Sequence, residues 1–392
     1  MNICFITGTY HPKIGGAETY VKTIAEGLAA LNHNVIVITD GLTVNTSKVE
    51  VLNGVKIVRA LDYWNDVNDP TKVRWEQMYF SLLSDIKLIL QNERVDIIHT
   101  NSLDTALLGI MISQSISTPI VCSFHEQEPE IDPFGEGKCK LVFSNEFVNK
   151  FLAGSDFYYQ KALMFGANPN KAELIYHGID TDFFSEKDKF EARSFLNLNL
   201  SGPLVVSAAR LKERKGLLEL IKAISVVKRT IPDIKLIIAG SRNSASDDYA
   251  QSLYNKIEQL ELKDNVTIME NLSFNDMPHL FSAADVVVQP SHAEGLGLSL
   301  LEAMCMGKPV IGTDIVGFRE ILVHESNGIM IPPKDVSAIS NEIIRILTDH
   351  HLKDSLSKSA RIFVQENFDI KNTIFKTLAI YEDLHKEYTV VK

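Results

Sequence analysis

Two glutamates, Glu294 and Glu302, stand eight residues apart around the glycine-bearing stretch SHAEGLGLSLLEAM. A carboxylate accepts hydrogen bonds and can take both hydroxyls of a vicinal diol, so the pair suits a sugar and a ribose equally. The apolar run ADVVVQP ends just before them, and a helix is expected to begin near Gly297. The first amides of a helix point outward and carry partial positive charge. Gly297, Leu298 and Ser299 can therefore cradle a diphosphate, with Gly295 and Gly297 permitting close backbone approach. Spacing alone would equally allow a helix-face glutamate that meets only solvent.

Three further groups of residues fall where strands should end. Arg210 and Lys215, in AARLKERKG, follow the run PLVVSAAR and precede a helical pattern. Two cations there can balance a diphosphate and stabilise it as a leaving group. A surface basic cluster paired with Glu213 would leave the same trace. Gly15 and Gly16 follow the first apolar run and open a helix, like half of a phosphate-binding turn, although a plain turn needs no more and G-x-G-x-x-G is absent. His11 and Glu18 flank them as weaker candidates. His125 ends the run PIVCSF, where a lone histidine can serve a substrate or merely bond its neighbours. His177 lies in HGID, where Gly178 suggests a tight turn and Asp180 reads as a cap.

The elements that must position these residues follow from pattern. Short apolar runs (NICFIT, VIVIT, DIIHT, PIVCSF) alternate with helical periodicity, and a second series runs from PLVVSAAR through IKLIIAG, VTIM, ADVVVQP and PVIGT. Each series is the signature of βαβ units on a parallel sheet. At 392 residues the chain exceeds what one core supports. Two tandem Rossmann-like, doubly wound α/β domains are expected, over residues 1–180 and 181–369. Residues 178–201, charged and broken by a Gly-Pro pair, read as a linker. An apolar pattern at helical spacing over residues 370–388 comes after the second sheet is complete. It is expected to be a helix that packs back on the first domain. Ligands of such sheets gather at the carboxyl ends of the strands, so the cleft between the domains is the expected site.

Composition narrows the function. The net charge of −11 is spread over both halves, −7 within residues 1–180 and −4 beyond, which disfavours nucleic acid and charge-driven docking on anionic lipid. Weak peripheral membrane contact stays open. The start MNICFITGTY lacks a basic n-region, and no apolar stretch approaches the ~20 residues of a membrane helix, so a cytoplasmic protein is expected. Cys4, Cys122, Cys139 and Cys305 have no CxxC spacing and read as reduced thiols, not a zinc site.

The E-x7-E arrangement within EGLGLSLLEAMCMGKPVI resembles glycosyltransferase family 4, a retaining family with the GT-B fold. The resemblance spans nearly the whole chain through GGAETYV at 15–21, Phe124-His125, HGID at 177–180 and AARLKERKG at 208–216. It implies that Arg210 and Lys215 contact the donor pyrophosphate, in place of a divalent ion. Gly15 and Gly16 would approach donor phosphate and acceptor, and His125 the transferred sugar. Glu294 would position the donor sugar and Glu302 the nucleotide ribose. Transfer would retain configuration: the acceptor hydroxyl attacks on the face the diphosphate leaves, and the departing phosphate takes its proton. The family's commonest donors are UDP-sugars, with glucose or N-acetylglucosamine favoured here, and no cofactor is expected beyond the nucleotide sugar itself.

The acceptor is the least determined element. HEQEPEIDPFGE, which departs from the usual family pattern, places Glu126, Glu128, Glu130, Asp132 and Glu136 within eleven residues. A solvated loop would look the same. Beside an acceptor pocket that charge would repel phosphates and attract ammonium groups, with Glu128 and Glu130 as acceptor-binding residues. A small amine-bearing cyclitol such as 2-deoxystreptamine, as in antibiotic assembly, is one expectation. Lipid-linked or polysaccharide acceptors are another. A UDP-sugar 2-epimerase and a noncatalytic nucleotide-sugar-binding protein share the architecture, but the E-x7-E and RLKERKG segments favour transfer.

Overall fold

Runs such as NICFI and IVCSF, apolar at nearly every position, suit strands covered on both faces, and their side chains are buried almost throughout. The structure, a computed structural model, describes residues 1–390 apart from 14, 42–46, 62–74, 92, 127–134, 199–201, 243–247 and 271. The chain forms two units, Met1–His177 together with Lys371–Lys392, and Gly178–Ile370.

The first unit runs β1 (Asn2–Ile6), α1 (Gly16–Ala30), β2 (Asn34–Asp40), β3 (Val49–Leu52), β4 (Val55–Leu61), α2 (Trp75–Leu90), β5 (Ile97–Thr100), α3 (Leu103–Ile116), β6 (Ile120–Phe124), α4 (Glu136–Phe143), β7 (Lys150–Ala153), α5 (Asp156–Met164) and β8 (Ala172–Leu174). Its eight strands lie in the order β3-β4-β2-β1-β5-β6-β7-β8. All neighbours are parallel except β3 and β4. That hairpin turns at Asn53-Gly54, both at positive φ, as a tight two-residue connection requires. The order places the ends of β1, β5 and β6 side by side, which brings the first glycine turn next to His125.

The second unit runs α6 (Lys189–Phe195), β9 (Leu204–Ala208), α7 (Leu217–Thr230), β10 (Lys235–Ala239), α8 (Asp248–Gln259), β11 (Val266–Met269), α9 (Met277–Ala283), β12 (Val286–Gln289), α10 (Leu298–Cys305), β13 (Val310–Thr313), α11 (Val316–Arg319), β14 (Ile329–Ile331), α12 (Val336–Thr348) and α13 (His350–Asn367). Its parallel sheet is ordered β11-β10-β9-β12-β13-β14. The reversal of order between β9 and β12 opens the crevice where doubly wound sheets bind ligands. Arg210 and Lys215 follow β9, and Glu294 follows β12, so the topology gathers them at that point.

The segment read as a linker is instead folded into the second unit. Two of its charged residues share one buried partner: Lys189 on α6 bonds Asp285 Oδ1 at 2.6 Å, and Arg193 bonds Asp285 Oδ2 at 3.0 Å. Part of the charge there serves an internal ion cluster, while Asp182, Glu186, Asp188 and Glu191 face solvent. The last helix, α14 (Ile370–Val390), belongs with the first unit from Lys371 on. Ile374 of α14 sits where a Cβ on Gly27 of α1 would lie, 2.4 Å from its Cδ1, so the glycine is what lets the two helices close on each other. Tyr381 is buried and bonds His99 on β5.

Candidate active site

In the second unit the loop 210–216 and the loop 290–297 are laced together. His292 N–H donates to Arg214 O at 2.7 Å, and Arg214 Nη1 donates to Ala293 O at 2.8 Å. Gly216 has φ +66°, and a Cβ there would lie 2.0 Å from Pro290 O, so no other residue fits the crossing. Within this frame Glu294 accepts from Lys215 Nζ, from Ser291 Oγ at 2.7 Å and from Arg214 Nη1 at 3.3 Å. The side chains of Lys215 and Glu294 are 12% and 10% exposed. Burial opposes ionisation of Glu294, but the Lys215 and Arg214 charges and two hydrogen bonds outweigh it and hold the carboxyl below its ordinary range. Burial pulls Lys215 down from the ordinary lysine range, with the Glu294 charge offsetting part of that.

The basic cluster is therefore not paired with Glu213 at the surface; Lys215 turns inward to Glu294. Arg210 is exposed, and its charge is felt at Lys215. Arg214 joins the site although sequence reasoning passed over it, because a run of K-E-R-K gives no sign of which cation points inward.

Gly297 caps α10 at φ +102°, and a Cβ there would lie 2.4 Å from the Phe318 ring. Leu298 and Ser299 are thus the first two residues of α10, where backbone N–H groups have no acceptor within the helix. Ser299 Oγ accepts from Gln289 Nε2 at 3.1 Å, and the same amide donates to Ala208 O at 2.9 Å. Gln289, buried at the end of β12, thus ties the helix start to β9. Gly295 lies in the bend between Glu294 and this cap.

Glu302 sits within the second turn of α10, half-buried. Among the described residues no side chain bonds its carboxyl, and burial pushes its pKa up to about 8. A folded-state carboxyl above its unfolded value favours the fold most below about pH 4.5, and that contribution is lost as pH rises toward 8. Glu302→Gln is therefore expected to melt higher than the parent at pH 9, by the equivalent of roughly 2–4 kcal/mol, with little difference at pH 5. Equal melting shifts at the two pH values would show that the carboxyl is solvated.

In the first unit, Gly15 is the extended N-cap residue of α1 and Gly16 its first residue; Glu18 accepts from Thr9 Oγ1 at 2.6 Å and fills the space beside Gly15. His11 contributes its carbonyl to Arg59 Nη2 at 2.9 Å. His125 follows β6, and its Nε2 lies 2.8 Å from Asn101 Oδ1. Burial, then the neighbouring His177 and His99, hold His125 well below the usual histidine range. His177 packs on Tyr20 and His125 at ring-centroid distances of 4.3 and 4.8 Å. It fits only because residue 154 is glycine, where a Cβ would strike the His177 ring at 2.1 Å. Burial takes His177 to about 4 and His99 to about 3, so the cluster is uncharged at neutral pH. Asp180 Oδ1 accepts from the amides of Asp182 and Phe183, which makes it a turn-former.

Of the five crowded carboxylates, Glu126 is turned inward: it accepts from Leu103 N at the start of α3 and from His125 N, at 2.8 and 2.9 Å. Burial pushes it up to about 7 despite those bonds. Glu136 is exposed and pairs with Lys140 one turn along α4. Glu128, Glu130 and Asp132 lie outside the described residues. Among the described residues no helix is long and apolar enough to cross a membrane, and no cluster of three metal-binding side chains forms.

Two doubly wound α/β units, the second with a glycine-capped helix and a buried Lys-Glu pair at its switch point, are the architecture of the GT-B class. The chain belongs to the glycosyltransferases of family 4: residues 14–183 match the description "Glycosyltransferase Family 4" and residues 188–363 match "Glycosyl transferases group 1". It is 28% identical to an uncharacterized glycosyltransferase of Methanocaldococcus jannaschii, over 97% of this chain and 98% of that one. Sucrose-phosphate synthase from Thermosynechococcus elongatus shares the fold with a TM-score of 0.84 at 22% identity, covering 99% of this chain and 100% of the other. Anabaena HepE in complex with UDP and glucose does so with a TM-score of 0.80, also at 22% identity, over 97% and 99%.

Proposed function

We propose that this glycosyltransferase moves glucose or N-acetylglucosamine from a UDP-sugar to an acceptor hydroxyl, with retention of configuration and without a metal ion. The observation that carries this reading is the buried Lys215–Glu294 pair, flanked by Arg214 and the Gly297 cap. A nearly dry ammonium, paired with the carboxylate of the loop that leads into α10, suits a diphosphate whose charge grows as the glycosidic bond breaks. Arg210 and Lys215 stabilise that charge, Glu294 holds the sugar, and Glu302 takes the ribose hydroxyls. The departing phosphate accepts the acceptor's proton, so no enzyme nucleophile is required. The presence of UDP and glucose in HepE supports this choice of donor.

For the acceptor, the carboxylates Glu128 and Glu130 support a small amine-bearing cyclitol, with lipid-linked or polysaccharide acceptors as the second reading. The test is to incubate the protein with UDP-glucose or UDP-N-acetylglucosamine and a chelator, and to read product and anomeric configuration by NMR. An α-linked product at full rate in chelator is expected. Collapse of the rate in chelator, or a β-linked product, would overturn the metal-independent or the retaining part respectively. Efficient transfer to inositol phosphate with none to 2-deoxystreptamine would remove the cyclitol.

A further inference from the structure

We propose that Asn101 is a positioning residue that fixes the His125 ring with its proton on Nε2 and its lone pair on Nδ1, so that His125 offers the bound sugar a hydrogen-bond acceptor. The inference rests on the reading of His125 as a sugar-contacting residue and says how that residue is set up.

Asn101 directly follows β5 and is 2% exposed. Its backbone N–H donates to Ile6 O of β1 at 3.2 Å, which anchors it between two strand ends. Both ends of its side-chain amide are committed. Nδ2 donates to Ala17 O of α1 at 3.0 Å, and that carbonyl can only accept. The amide orientation follows, and it leaves Oδ1 facing His125 Nε2 at 2.8 Å. An amide oxygen cannot donate, so Nε2 must carry the hydrogen, and in a neutral imidazole Nδ1 then holds the lone pair.

The surroundings keep the ring neutral. Burial dominates, and His177 and His99 oppose a positive charge on it. Glu126, the adjacent carboxyl, accepts from the backbone amides of His125 and Leu103. The Tyr20 ring of α1 packs against His125 at a tilt, 5.0 Å between ring centroids, and the Tyr158 hydroxyl of α5 donates to His125 O at 3.0 Å. The glycine turn and the histidine are thereby joined through one amide: the first turn of α1 orients Asn101, and Asn101 orients His125. A neutral acceptor at Nδ1 selects for a sugar hydroxyl that can donate.

The test compares the full-length parent protein with Asn101→Leu, Asn101→Asp and His125→Ala, using 15N imidazole NMR and steady-state transfer from UDP-sugar. In the parent, His125 should show a single Nε2–H tautomer. Asn101→Leu should abolish that pure pattern and lower kcat by about 10-fold or more, with KM for the donor changed much less. Asn101→Asp keeps an acceptor for Nε2–H and adds a negative charge, so it should retain the tautomer while moving the acid limb of the pH–kcat profile upward by about one unit. Should the leucine variant fail to fold, the aspartate variant carries the test. An unchanged tautomer and kcat in Asn101→Leu, or an unshifted profile in Asn101→Asp, would overturn the proposal. Full activity in His125→Ala would instead overturn the sugar-contact reading, while the NMR result would still report on Asn101.

Discussion

Lys215→Ala is expected to lower turnover by about 10² or more, and Arg210→Ala to do the same, as for other groups that stabilise developing charge in a water-poor site. The two should differ in stability. Arg210 is exposed and its loss should leave the melting temperature nearly unchanged, whereas Lys215 neutralises a buried carboxylate. Removing it leaves Glu294 with Ser291 and a longer contact to Arg214, and stranding a buried charge costs about 3–5 kcal/mol. The double variant Lys215→Met, Glu294→Gln removes both charges and should recover most of the stability without recovering activity. Single-turnover rates and urea midpoints on the four proteins separate the two effects. Near-parental turnover in Lys215→Ala or Arg210→Ala would remove that residue from the mechanism.

Asp285 should be the most sensitive position outside the site. This one carboxylate, 7% exposed at the side chain, receives Lys189 and Lys353 at Oδ1 (2.6 and 2.9 Å) and Arg193 and Leu204 N at Oδ2 (3.0 Å each). It joins α6, α13 and the start of β9, and Asp285→Asn would leave three cations facing one another around a neutral amide. A loss of about 3–5 kcal/mol is expected at pH 7. Burial raises the Asp285 carboxyl, but the bonds from Lys189, Lys353 and Leu204 N overcome it and bring the pKa from 3.8 to about 2. Because the folded value lies below the unfolded one, this stabilisation is present above about pH 4 and disappears as pH falls toward 2. The parent should therefore lose about 2 kcal/mol over that interval which the asparagine variant has already lost. Urea midpoints at pH 7 and pH 3, where about half of that loss has occurred, check it. A variant as stable as the parent at pH 7 would mean the cluster adds nothing to the fold.

Much of the architecture was legible because strand and helix patterns are local. The alternation of apolar runs with helical periodicity announced both sheets, and the apolar spacing after residue 370 announced α14. The β3–β4 hairpin carried an Asn-Gly signal at residues 53–54 that the βαβ rhythm around it obscured. The supposed linker was misread because charge in a sequence does not say whether it faces water. Lys189 and Arg193 reach Asp285, which lies far along the chain, and no local pattern predicts that pairing.

The site divides in the same way. Residue types and spacing marked Glu294, Glu302, Arg210, Lys215 and the Gly297 turn as candidates at strand ends and a helix start, and the family resemblance joined them into one expected donor site. The reason is that strand ends and helix starts impose those types locally. Only the tertiary structure decided which charges meet. It chose Lys215 and Arg214 as the partners of Glu294, left Glu302 half-buried without a partner among the described residues, and turned Glu126 inward to cap α3. It also brought Ala17, Asn101 and His125 into one chain of hydrogen bonds, across three adjacent strand ends that are separated in sequence. Hydrogen bonds and desolvation depend on distance in space, and strand order in the sheet sets that distance.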